Sequence, residues 1–198
     1  MAKKKPDRMT EISKYLCLIL RHKPGLIGGE LDEHGYMDVD TLIQGVRERY
    51  PNFDERMLFN IVMTDDKNRY TLHHNKIRCN QGHSVKVELE LEEKKPPMIL
   101  YHGTTFDKHN VIMLKGIRKM SRHHVHLSSN YETAKKVAKR RKGTAEIMCI
   151  DAGQMYKDGH KFYVSKNGVW LTDYVPPKYI SKCVTSNLLK NEKEKTNE

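Results

Sequence analysis

The stretch RYTLHHNKIRCN, residues 69–80, marks where the hydrophobic pattern changes from helical spacing to strict alternation. It reads as a β-hairpin that turns near His74 and Asn75. What precedes it is helical. Ile12, Tyr15, Leu16, Ile19 and Leu20 recur on one face from Thr10 until Pro24 and Gly25 stop the pattern. Val39, Leu42, Ile43 and Val46 give a second helix, N-capped by Asp38 or Asp40 and ending near Pro51. Met57, Leu58, Ile61 and Val62 give a third, capped by Asp54. After the hairpin, HSVKVELELEEK alternates as a further strand. Three small helices followed by a β-hairpin are the order of a winged helix, a common nucleic-acid-binding module.

Further along, LEEKKPPM combines a charge cluster with Pro96-Pro97 and is the expected domain boundary, giving lobes 1–95 and 96–198. In the second lobe strands and helices mix. MILYHGTT reads as a strand, FDKHNVIMLKGI as a helix, HHVHLS as a strand, and NYETAKKVAKRRKG as a helix opened by a capping box in which Ser129 faces Glu132. AEIMCIDA and KYISKCVT are further strands, separated by the loop-rich FYVSKNGVWLTDYVPP. The fold class expected is α+β. The terminal stretches KKKP and KNEKEKTNE read as disordered and carry no expected chemistry.

The composition, 37% apolar and 31% charged over 198 residues, is that of a soluble globular protein. No apolar run approaches the roughly 20 residues that span a bilayer, and MAKKKPDRMTE has no apolar segment behind its lysines. No membrane partner and a cytoplasmic location are therefore expected. Cys17, Cys79, Cys149 and Cys183 stand far apart with no CxxC pair, which argues against a zinc ribbon and a disulfide framework and suits a reducing compartment. The net charge of +11 is unevenly spread: residues 1–95 carry 17 Lys and Arg against 16 Asp and Glu, and residues 96–198 carry 19 against 9. Between Lys115 and Lys142, ten basic residues accompany the single acid Glu132, which points to a polyanionic ligand.

Several stretches could carry chemistry. Arg21 and His22 close the first helix, where cations also serve as plain C-terminal caps. Lys67 and Arg69 lie at the mouth of the expected wing. In YHGTT, Gly103 lets backbone approach a ligand while His102 and Thr104 supply hydrogen-bonding groups. In SRHHVHLS, alternation puts His124, His126 and Ser128 on one face and His123, Val125 and Leu127 on the other. At most two histidines share a face, with no carboxylate or thiolate nearby in sequence to complete a zinc shell, so no metal is expected. Lys136 and Arg140 sit four apart on the basic helix.

Taken in this order, SKYLCLILRH, DDKNRY, LYHGTT, SRHHVHLS, VAKRRKG and NGVWLT closely resemble the RNA 2′-phosphotransferases that act on tRNA, from about Ile12 to Ile180. The resemblance implies a winged-helix RNA lobe followed by an ADP-ribosyltransferase-like lobe that takes NAD as co-substrate. It also implies removal of an internal 2′-phosphate from spliced tRNA, with release of nicotinamide and ADP-ribose 1″,2″-cyclic phosphate. The family's Arg-His-Arg-Arg tetrad matches Arg21, His22, Arg69 and Arg140, the last by aligning VAKR with the family's VGxR. His102, Gly103 and Thr104 match its first NAD-contacting strand, and His126 and Ser128, with His124 on the same face, the second. Lys67, Arg122, Lys136 and Lys139 are the expected RNA contacts. Three departures are Cys17 for Ser, Ala138 for Gly and Tyr70 for Phe. The partners expected are an RNA with an internal 2′-phosphate, tRNA foremost, and NAD, bound by a monomer. The rivals are a DNA-binding winged helix and an ADP-ribosyltransferase acting on nucleic-acid phosphate ends or protein; the second usually wants a catalytic Glu on a later strand, and none stands out around FYVSKNGVWLT.

Overall fold

The computed structural model describes residues 7–183, so the tails KKKP and KNEKEKTNE lie outside the described residues. The chain is α+β and forms two compact units. The first holds residues up to Leu91 together with Ser121–His123 and Ser165–Asn167, and the second holds the remainder.

In the first unit, helix α1 (Arg8–Arg21) starts where the Asp7 carboxylate accepts the Thr10 N–H, and it buries Ile12, Leu16, Ile19 and Leu20. Asp38 caps α2 (Val39–Arg47), which ends ahead of the expected Pro51; Asp54 caps α3 (Glu55–Met63) as expected. Strands β2 (Tyr70–His73) and β3 (Lys76–Cys79) are the hairpin, paired from Tyr70↔Cys79 to His73↔Lys76, with His74 at φ 52° in the turn. A short strand β1 (Met37–Asp38), absent from the sequence reading, pairs with the other side of β3. One core joins α1, α2 and α3 to the hairpin through residues such as Leu16, Leu42, Phe53, Leu58 and Ile77, each 0–1% exposed. Burying such a side chain contributes roughly 1.5 to 3 kcal/mol before chain entropy is counted.

The alternating HSVKVELELEEK is not a strand over its length. Only Glu92 and Glu93 are extended in a ladder, as β4 (Glu92–Glu93). Upstream, its backbone donors find single carbonyls instead: Ser84 and Val85 N–H reach Arg21 O, and Glu88 N–H reaches Glu33 O. Alternation supplies a face for burial but no partner strand.

The second unit is built on β5 (Ile99–Thr105) and β8 (Ala145–Asp151), antiparallel from Ile99↔Asp151 to Thr105↔Ala145, with β12 (Ile180–Lys182) on the other side of β8. A second sheet runs β4, β9 (Tyr163–Val164), β10 (Trp170–Thr172), β7 (Val125–Leu127). A small pair joins β6 (Ile117–Arg118) to β11 (Tyr174–Val175). The loop-rich expectation for FYVSKNGVWLTDYVPP is corrected here, because β9, β10 and β11 are two or three residues each, too short to show a period. The stretch FDKHNVIMLKGI is a 3-10 turn over Phe106–Lys108 followed by α4 (His109–Lys115). Helix α5 (Tyr131–Ala138) is N-capped by Asn130, whose side chain accepts from Thr133 N, so the expected Ser129 cap is off by one. A further helix, α6 (Ala152–Lys157), follows β8 directly.

The two faces of β5 have different tasks. Leu100 joins Met148, Ile150, Ile117 and Phe162 in the main core, while Tyr101 packs with Ala134 of α5. A cystine joins Cys149 and Cys183 with their Cα atoms 5.1 Å apart. The spacing of the cysteines argued against a disulfide framework, and this one bond is a correction. The register Ser181↔Cys149 puts Cys183 two positions further on the same face, a diagonal neighbour that linear separation does not reveal.

Candidate active site

In the first unit α1 delivers Arg21 and His22 at its last turn, where the His22 N–H donates to Leu18 O and Pro24 opens a 3-10 turn. The segment Gln81–Ser84 folds back over this helix end. Gly82, at φ +90°, makes the bend against the Arg21 side chain. Ser84 N–H then donates to Arg21 O at 2.9 Å, and Ser84 Oγ lies 2.9 Å from His22 Nδ1.

This corner is cationic. The Arg21 Nε and Nη2 groups are buried and have no hydrogen-bond partner. Burial, then Arg21, then Arg122 push His22 below the usual imidazole value, which favours the neutral ring. His83 is 1% exposed, and neither of its ring nitrogens has a partner. Its pKa is lowered to about 3, chiefly by burial and next by Arg21, His123, His22 and Arg78. Neither Ser84 nor His83 was singled out from the sequence, because both act on a helix end some sixty residues away.

Arg69 enters from the start of the hairpin and forms an ion pair with Asp65, whose side chain is only 4% exposed. The Arg69 N–H donates to the same carboxylate, so Asp65 fixes both backbone and guanidinium. Asp65 was also missed; it sits within DDKNRY, but nothing local marks which acid turns inward. Lys67 is exposed, and its carbonyl accepts from Asn167 Nδ2 at 3.1 Å.

Arg21 and Arg69 converge on one neighbour. The Cys17 thiol is pulled down to about 6, first by a hydrogen bond from Cys79 and then, against burial, by Arg21, Tyr70 and Arg69. Its Sγ lies 3.1 Å from the Tyr70 hydroxyl, which donates to Ser13 O. Two departures from the family pattern, Cys17 and Tyr70, therefore touch each other. The structure thus gathers Arg21, His22, Arg69 and Arg122 in one unit.

In the second unit the bridge Tyr101↔Ser128 aligns β5 with the end of β7. His102 Nδ1 lies 3.0 Å from His126 O, and His126 Nδ1 lies 3.1 Å from His124 O. Val125 and Leu127 are buried, which leaves His126 on the opposite face as alternation requires. Thr104 is buried beside them at 2% exposure. Gly103 serves a different contact from the one expected of it: a Cβ there would stand 2.1 Å from Ala134 O, so the missing side chain makes room for the backbone of α5. On the neighbouring strand Glu146 is buried and meets His109 Nδ1 at 3.0 Å.

Arg140 lies just beyond α5, in a turn where its N–H donates to Val137 O, and not four residues along a continuous helix from Lys136. Lys136, Lys139 and Arg140 are all exposed.

Comparison with known proteins gives a concordant result. Residues 7–174 match the model of the RNA 2'-phosphotransferase, Tpt1 / KptA family. Similar proteins include a probable RNA 2'-phosphotransferase of Flavobacterium johnsoniae, 49% identical over 85% of this chain and 93% of its own. Those of Rhizobium johnstonii and Fusobacterium nucleatum, also described as probable RNA 2'-phosphotransferases, are each 46% identical. The alignments cover 87% of this chain and 94% of the first, and 88% of this chain and 98% of the second.

Proposed function

For a chain that belongs to the RNA 2'-phosphotransferase, Tpt1 / KptA family, we propose the transfer of an internal RNA 2′-phosphate, as at a tRNA splice junction, to NAD+. In this reading the first unit is a winged-helix lobe for RNA and the second an ADP-ribosyltransferase-like lobe for NAD+. The observation that carries it is the corner formed by Arg21, His22 and Arg69, where buried guanidinium donors of Arg21 have no protein partner. Unpaired, desolvated N–H groups on a cation are what a phosphate dianion satisfies.

The donor set of the second unit suits a dinucleotide. Imidazoles of His102, His124 and His126 and hydroxyls of Thr104 and Ser128 offer hydrogen bonds to its amide, ribose and diphosphate groups. NAD+ supplies an electrophilic C1″ carbon whose leaving group, nicotinamide, departs neutral.

Arg21 and Arg69 orient the 2′-phosphate, whose oxygen is already a nucleophile near neutral pH, so the first step needs no general base. Orientation of this kind can supply up to roughly 7 to 11 kcal/mol. A phosphate oxygen bonds to C1″ as the C1″–nitrogen bond breaks and its electron pair leaves with nicotinamide. In the second step the ribose O2″ bonds to phosphorus and the bond to the RNA 2′-oxygen breaks. His22 accepts the O2″ proton and returns it to the 2′-oxygen, giving 2′-OH RNA and ADP-ribose 1″,2″-cyclic phosphate. Arg140 is the third arginine that the family resemblance assigns to the phosphoryl group, to offset the charge that gathers there in the transition state. Lys67, Arg122, Lys136 and Lys139 hold RNA backbone.

The test is nicotinamide release from NAD+ with three RNAs: one bearing an internal 2′-phosphate, one a terminal phosphate, and one neither. Release with the first alone is expected. Release with the terminal phosphate alone would replace the reading with ADP-ribosylation of phosphate ends.

A further inference from the structure

His22 is held on one side by a serine that no motif marks. Its Nδ1 is 2.9 Å from Ser84 Oγ, and the loop carrying Ser84 is pinned by the Ser84 N–H on Arg21 O. The pin is independent of the serine side chain, so the hydroxyl approaches the imidazole from a fixed backbone. Arg21 and Arg122 both disfavour the imidazolium, and the ring carries a single N–H whose place decides which nitrogen can take a proton. The charged groups that act on this ring, Arg21 and Arg122, are both cations, and the ring in turn acts on His83. The serine hydroxyl is the partner that the structure gives to Nδ1.

We infer that Ser84 is a positioning residue: its hydroxyl accepts the Nδ1–H of His22, which keeps the lone pair on Nε2 and aims that nitrogen away from the loop. Free imidazole prefers the opposite tautomer, with the proton on Nε2, so the contact selects the form able to receive a proton there. The inference rests on the proton-transfer role proposed above for His22. In the second step Nε2 takes the O2″ proton, Ser84 goes on accepting from Nδ1 while the ring is cationic, and Nε2 hands the proton to the RNA 2′-oxygen. The hydroxyl gains and loses nothing.

The test uses the full chain labelled with 15N at histidine, with His22 assigned by the signal lost in His22→Gln. Wild type and Ser84→Thr are expected to show Nδ1 protonated and Nε2 bare; Ser84→Ala shifts the population toward Nε2–H. With NAD+ and a 2′-phosphorylated RNA, Ser84→Ala slows resolution of the ADP-ribosylated intermediate by about tenfold, the low end of what losing the orienting partner of a metal-bound histidine costs. Its KM for NAD+ stays unchanged, and Ser84→Thr restores the rate. Because Ser84 is exposed and keeps its backbone bond in every variant, folding is preserved, and an unchanged thermal midpoint verifies it. Wild-type His22 ring signals in Ser84→Ala would overturn the inference, as would a slowed rate that Ser84→Thr fails to rescue. If the signals shift as described while the wild-type chain turns over no RNA, the pairing stands and the reaction proposed above falls.

Discussion

Arg69 and His22 show how little of a side chain's working environment its neighbours in sequence announce. Both belong to recognisable stretches, DDKNRY and LRHK, that taken alone read as an exposed turn and a helix cap, and both became candidates through the resemblance to the family's tetrad. Asp65 and Ser84, which hold them, did not: one is an acid among several, the other a serine 62 positions away. The distinction is physical, since a cation at a helix end is visible as a pattern, whereas its partner depends on which turn folds back. The candidate roles separate by reaction step. In the proposed mechanism, His22→Ala leaves Arg21 and Arg69 to orient the phosphate for attack on C1″ but removes the acceptor of the O2″ proton. The ADP-ribosylated RNA is therefore expected to accumulate, with the second step slowed by roughly 10² to 10⁴-fold. Resolution on a denaturing gel shows it, and equal slowing of both steps with no intermediate removes His22 from proton transfer.

Among elements, the helices were the most legible, because capping acids and apolar spacing coincide: Asp54 and α3 are found where the pattern put them. Strands were less so. HSVKVELELEEK alternates well but finds isolated carbonyls for its N–H groups, while β9, β10 and β11 form with no pattern long enough to see. A ladder needs a partner, and the partner is tertiary information. Gly103 illustrates the same limit. Read alone it suggested room for a ligand, yet the room is filled by α5. Because the obstacle is backbone, Gly103→Ala is expected to lower stability by roughly 1 to 3 kcal/mol, the range for overpacking a filled site. A urea midpoint shifted to lower concentration with an unchanged slope is the expected result, and an unchanged midpoint would mean that α5 moves aside freely.

At the scale of the whole molecule, two electrostatic properties follow from the chain. His83 has a folded-state pKa of about 3 against about 6.5 when unfolded. Its folded value is the lower one, so the stability due to its neutral state is fully present above pH 6.5 and is lost as pH falls from 6.5 toward 3. The slope for this one proton is about 1.4 kcal/mol per pH unit. Unfolding midpoints measured across that window should drop in the wild type and drop less in His83→Phe; parallel curves would show that His83 is not the group responsible. The excess charge lies almost wholly in residues 96–198, so RNA affinity should fall steeply with salt. Log affinity plotted against log salt concentration should be linear with a negative slope, and a flat line would exclude backbone contacts by Lys136 and Lys139. The most direct measurement follows the phosphorus itself. With an RNA carrying 32P at its internal 2′-phosphate, the label should appear in ADP-ribose 1″,2″-cyclic phosphate, and only when NAD+ is supplied. Label released as inorganic phosphate, or released without NAD+, would contradict the account.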